Sequence, residues 1–242
     1  MRSAVFFLFL PAMLRSAFGA ELELPELPGT CRQVIAVSSP SWDSSNAILQ
    51  RLERRPSERW TTVGPDWAVR LGKNGMTWGR GLHAIPSGHP GKREGDRKSP
   101  VGIFRLGTAF GYAPAAPDGT RLDWRQATDR DFFVDDPGSP DYNRWVRLEP
   151  GVVAPWRTAE VMGRPDPLYE FGIVVRHNMD PVAAGSGSAI FLHVWGDPGS
   201  ATAGCTAMDR ENLITLLVWL DPSKEPLLVQ APRIEFAGLR LR

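Results

Sequence analysis

Twenty-four glycines and 22 prolines are scattered along the 242 residues, and this punctuation restricts the chain to short elements. Proline removes a backbone donor and blocks a helix interior, while glycine weakens helices and strands alike. Short strands joined by turns are the favoured outcome. Apolar, β-branched runs occupy 32–38, 47–53, 60–70, 102–106, 132–134, 144–148, 172–176, 189–195 and 226–230, each bounded by Gly, Pro, Asp or Ser. One window reads as a helix. Asn212–Leu220 sets Leu213, Leu216, Leu217 and Leu220 on one face. Asp209 is a good N-cap, and Asp221-Pro222 stops the run. A shorter helix is expected near Thr158 or Asp180. The predicted fold is mainly β, sandwich-like or a partly open barrel, with few helices. One domain is expected over 32–230, after a lead-in at 21–31 and before a tail at 231–242. The charged stretch 88–100, with Lys92 to Lys98 at its centre, reads as a solvated surface loop.

Composition narrows the function. A hydrophobic share of 42%, including 10% aromatic residues, is enough for a packed core. Lys plus Arg is 28 against 27 acidic residues, so nucleic acid is not an expected partner. Two cysteines and four histidines are too few and too scattered for a disulfide scaffold or a structural metal site. No metal or cofactor is called for, and a monomer is expected. Arg2, the apolar run at 4–14 and the small residues Ala17, Gly19 and Ala20 read as a removable export signal over 1–20. The run is about half of the ~20 residues a membrane span needs. The expected product carries no transmembrane segment after removal, and its expected location is the periplasm or the cell wall.

The stretch Gly185–Met208 holds the chemistry. Ile190, Leu192 and Val194 alternate with Phe191, His193 and Trp195, so the two sets face opposite sides of a strand. A turn-rich segment then leads through Thr202-Ala203-Gly204 to Cys205, and the capped helix follows four residues on. A working thiol needs a base, a lowered pKa and donors for an oxyanion. His193, held on a strand, is the candidate base. The helix start would favour a thiolate, and the Gly204–Cys205 backbone offers N–H groups. The alternatives are a buried, inert Cys205, a hydrogen-bonded strand histidine, or a Cys31–Cys205 disulfide.

SAIFLHVWGDPGSATAGC (188–205) resembles the L,D-transpeptidase catalytic (YkuD-like) family, in the branch where a short loop separates His from T-x-G-C. EGDRKSPVGIFRLGTAFGY (94–112), DPGSPDYNRWV (136–146) and YEFGIVVRHNMDP (169–181) extend the likeness over most of 32–230. The resemblance implies a β-sandwich-like domain, Cys205 as nucleophile, His193 as general acid/base, Gly204 as motif glycine and Thr202 at the Ser/Thr position. It implies peptidoglycan stem peptides as substrate. Many members read S-H-G-C-x-R; here Ala203 and Ala207 replace that histidine and arginine. His177 is a candidate substitute for the histidine, or an ordinary strand-end residue. Arg176, Asn178, Tyr142, Asn143 and Arg144 are candidates to line a cleft for a peptide carboxylate, and Trp195 to wall it. The leading expectation is L,D-transpeptidation through a cysteine thioester. The competing ones are an L,D-carboxypeptidase with water as acceptor, and a non-catalytic cell-wall-binding domain. A papain-type peptidase is disfavoured because it places Cys before His.

Overall fold

The computed structural model describes residues 22–242. The expected export signal at 1–20 lies outside the described residues. The strands are β1 (Gln33–Ser39), β2 (Asn46–Glu53), β3 (Thr61–Thr62), β4 (Trp67–Arg70), β5 (Met76–Trp78), β6 (Ser99–Gly111), β7 (Trp124–Gln126), β8 (Asp131–Val134), β9 (Trp145–Arg147), β10 (Ala159–Val161), β11 (Phe171–Val175), β12 (Phe191–Val194), β13 (Thr206–Met208) and β14 (Leu227–Pro232). A single α-helix, α1 (Arg210–Trp219), stands among the described residues, with short 3-10 turns at Pro167–Tyr169, Pro222–Lys224 and Arg233–Gly238.

The main sheet runs β1-β14-β6-β11-β12-β13-β4-β2, and β2 pairs back onto β1. The mainly β expectation therefore holds, and the sheet closes into a barrel. Residues 60–70, expected as one strand, break into β3 and β4 around Gly64-Pro65. Strand β6 is longer than its apolar run suggests, because its partners change along its length. It pairs β5 and β14 near its start and β11 and β7 near its end.

Helix α1 starts where its sequence says. The Asp209 side chain accepts the Glu211 N–H at 2.9 Å, and Leu213, Leu216 and Leu217 are buried. No helix forms near Thr158 or Asp180: the first region gives strand β10 and the second a turn. The 231–242 segment is packed rather than loose. Phe236 and Leu239 join the larger core cluster, and the Arg242 N–H donates to the Leu82 carbonyl.

Two apolar clusters divide the interior. The larger gathers residues of the barrel strands and α1, including Ile190, Leu192 and Val194. The smaller contains Phe110, Phe133, Tyr169, Phe191 and Cys205. The alternation seen in the sequence thus assigns β12's two faces to two different clusters. A second, three-stranded sheet, β10-β8-β9, contributes Phe133 to the smaller cluster. Its own anchor is Asp131, fully buried, which accepts hydrogen bonds from Arg147, Trp145 and Thr128.

Candidate active site

Strands β12 and β13 are parallel neighbours, with Leu192 opposite Thr206, His193 opposite Ala207 and Val194 opposite Met208. The turns after β12 return the chain to the starting end of the strand. Cys205 therefore sits immediately before β13, two residues ahead of Ala207, in line with the face that carries His193. The two are diagonal neighbours, a placement in which Cα atoms lie about 7–8 Å apart and long side chains can meet.

The loop is fixed by its own polar groups. Asp197 accepts the Gly199 N–H at 2.6 Å and the Ser200 hydroxyl. The Thr202 N–H donates to the Leu71 carbonyl, and the Thr202 carbonyl accepts the Lys73 N–H. The Thr202 hydroxyl does two jobs: it donates to the Cys205 carbonyl at 2.7 Å and accepts the Gly204 N–H at 3.0 Å. Ser99 also donates to the Cys205 carbonyl. Gly204 has φ +148°, and a Cβ there would lie 3.1 Å from the Lys98 carbonyl oxygen, so the turn requires glycine. The Gly204 N–H is committed to Thr202, whereas the Ala203 and Cys205 N–H groups of this turn have no internal acceptor among the described residues.

Cys205 is buried at 7% exposure. Its S–H donates to the Ala189 carbonyl at 3.4 Å, and its sulfur accepts the Phe191 N–H at 3.3 Å. Burial pushes the thiol up to about 12, against smaller lowering effects of the Phe191 N–H and the Lys92 ammonium. The lowered pKa expected from the helix start is not found. Strand β13 intervenes between Cys205 and α1, and desolvation of the charged form dominates. Both cysteines are free, so the Cys31–Cys205 disulfide does not form. Cys31 belongs to the larger cluster and Cys205 to the smaller.

The His193 Nδ1 lies 2.7 Å from the Val194 carbonyl oxygen. A carbonyl only accepts, so Nδ1 carries the proton and Nε2 keeps the lone pair. Burial lowers the imidazole to about 4; the Val194 and Leu168 carbonyls and Asp166 favour its charged form. Tyr169 packs edge-on against the ring, centroids 5.4 Å apart. No hydrogen bond joins the imidazole to the sulfur among the described residues. The resting pair is a thiol and a neutral imidazole.

Both side chains line a cavity of about 530 Å³. Thr202, Gly204, Trp195, Ala203 and Ala207 share it, and Lys92, Glu94, Asp135 and Glu160 add charge. Arg176, Asn178 and Tyr142 do not line this cavity. Arg176 pairs with Asp180 and, with Asn178, borders a separate small cavity. The Asn178 amide is spent on Ala183 and Gly187 backbone groups. Tyr142 is buried and donates to Glu94. His177 stays clear of the thiol too. Its Nδ1 accepts the Arg80 N–H at 3.1 Å and its Nε2 lies 3.0 Å from the Ser186 carbonyl oxygen, so it braces two loops. Lys92, expected in solvent, is buried. No local pattern marks it, because its charged neighbours in sequence are all exposed or half-buried.

A histidine on β12 and a cysteine immediately before the parallel strand β13, opening into one cavity with both apolar and charged walls, define a fold and site suited to nucleophilic acyl chemistry. The L,D-transpeptidase catalytic domain (YkuD) family model matches residues 56–229. The chain belongs to that family. No curated protein and no solved structure matches it. Strands β1 and β2 precede the matched stretch, yet they close the barrel that carries the site.

Proposed function

We propose that this protein is a peptidoglycan L,D-transpeptidase working through a thioester on Cys205. The observation that carries the reading is the shared cavity of Cys205 and His193, the histidine on β12 and the cysteine at the entry to the adjacent strand β13. The Cys205 sulfur attacks the carbonyl that joins an L-centred residue to the terminal D-residue of a stem peptide, while His193 Nε2 takes the thiol proton. Because the pair rests uncharged, proton transfer accompanies attack. The oxyanion is received by the Cys205 N–H. The Val194 carbonyl, accepting from Nδ1, steadies the imidazolium. The C–N bond then breaks, and His193 returns its proton to the departing D-amino acid. An amine of a second stem attacks the thioester, gives its proton to His193, and the sulfur leaves as the thiol. Glu94, Asp135 and Glu160 on the cavity wall favour approach of that cationic acceptor before it deprotonates.

The reading places the enzyme outside the cytoplasm, delivered by a signal over residues 1–20. The test is the intact mass of the protein with a disaccharide-tetrapeptide donor, with and without an acceptor stem. An adduct absent in Cys205→Ala, followed by a cross-linked product, supports transpeptidation. An adduct released only as free acid assigns a carboxypeptidase. A thiol that is never acylated leaves the non-catalytic binding reading.

A further inference from the structure

Lys92 is the one cavity-lining lysine among the described residues, and its placement is unusual for that side chain. Its side chain is 4% exposed, where a lysine needs compensating partners. Its ammonium donates to Asp96 Oδ1 at 2.6 Å and to the Lys98 carbonyl at 2.7 Å. Asp96 is itself shared with the Arg93 and Lys98 N–H groups. The stem is clamped, since a Cβ on Gly187 would come within 3.0 Å of three of its carbons. On its other side, a Cβ on Gly204 would sit 3.4 Å from Nζ. A fixed ammonium therefore faces the residue that precedes the nucleophile. Two of its three donors are used, and the third is left for a ligand.

We propose that Lys92 is the carboxylate-recognition subsite of this cavity, taking the free α-carboxylate of the donor's terminal D-residue. The inference rests on the transpeptidase reading above. In such a donor, one nitrogen and one Cα separate the attacked carbonyl carbon from the carboxylate carbon, a reach of no more than about 4 Å. An ammonium beside Gly204 matches that reach from the adjoining Cys205. The other charges point the same way. Glu94 and Asp135 repel an anion from the rest of the wall. Arg164 is paired with Asp166 and Glu160, and Arg97 lies on the exposed rim. Lys92 thereby selects stems that end one residue beyond the bond cleaved.

The experiment compares a synthetic tetrapeptide stem with its C-terminal carboxamide, binding to Cys205→Ala by calorimetry. The acid is expected to bind tighter by about tenfold or more, as for a charge-assisted hydrogen bond lost. Adding Lys92→Met brings the acid down to the level of the amide, and adding Arg97→Ala leaves the preference in place. The first comparison leaves Lys92 unaltered, so it holds even if Lys92→Met fails to fold. Equal affinities, no binding of either peptide, a preference that survives Lys92→Met, or one lost in Arg97→Ala overturns the proposal. Acylation of the unsubstituted enzyme, read by intact mass, judges the catalytic reading separately. A preference for the acid without any adduct sinks the chemistry and keeps the subsite.

Discussion

The Asn143 side chain takes the Ala189 N–H on its Oδ1 at 3.2 Å, and the carbonyl of that same alanine receives the Cys205 thiol. Asn143 Nδ2 donates to the His177 and Asn178 carbonyls at 3.0 and 2.8 Å. Asn143, Asn178 and Ala189 all have positive φ, at 61°, 53° and 51°. One buried amide thus holds a strained patch of backbone directly behind the Cys205 thiol.

Asn143→Ala is expected to lose this brace. Each buried backbone group left without its partner costs about 1–3 kcal/mol. Urea denaturation should show a lower midpoint, and the rate of Cys205 acylation should fall in the folded protein. An unchanged acylation rate would show that Ala189 holds its place without help.

The Cys205 thiol, pushed up to about 12, predicts an unusual pH profile. Alkylation by iodoacetamide follows the thiolate fraction, which for a free cysteine levels off above about 8.5. Here the rate should keep climbing through pH 10. A plateau near pH 9 in the folded protein contradicts the burial argument.

Three buried histidines predict loss of stability in mild acid. His83, His177 and His193 are lowered to about 4, 3 and 4 from 6.5. Between those values and 6.5 the unfolded chain binds protons that the folded chain refuses. Their contribution is complete above 6.5 and is lost as pH falls toward 4 and 3. Each adds a slope of up to about 1.4 kcal/mol per pH unit. Urea titrations at pH 7.5, 6 and 5 should show the decline, and His177→Gln should make it shallower.

Gly204→Ala tests the turn that presents Cys205. The backbone there is at φ +148°, and the new methyl would press on the Lys98 carbonyl, Ile190 and the Lys92 ammonium. The strain is about 1–3 kcal/mol. Acylation should slow strongly while circular dichroism stays unchanged; full activity would mean that the turn adapts freely.

Much of this architecture was readable from residue order. Strand β12 and helix α1 announce themselves through strict alternation and through an Asp209 cap followed by a leucine face. Strands β5, β7, β10 and β13 do not, because each has three residues and exists through its partner rather than its composition. Closure of the barrel depends on β1 meeting β2 and β14 together, a long-range register that no window reveals. Cys205 and His193 are singled out by the turn-rich stretch between them together with the family resemblance of the segments around it, since a lone Cys–His pair has ordinary structural readings. Arg176, Asn178 and Tyr142 were attractive as polar groups near strand ends, yet folding spends them on Asp180, on loop amides and on Glu94. Lys92 hid among exposed charges, because burial of a cation is decided by what packs over it.

Strand β13 is only three residues long, but β12 flanks it on one side and β4 on the other. The ladder is occupied on both sides at Ala207 and Met208, so an incoming peptide gains no main-chain pairing by extending the sheet along that stretch. A substrate at this end of β13 would then be held by side chains and loop amides that reach across the strands, rather than by strand addition.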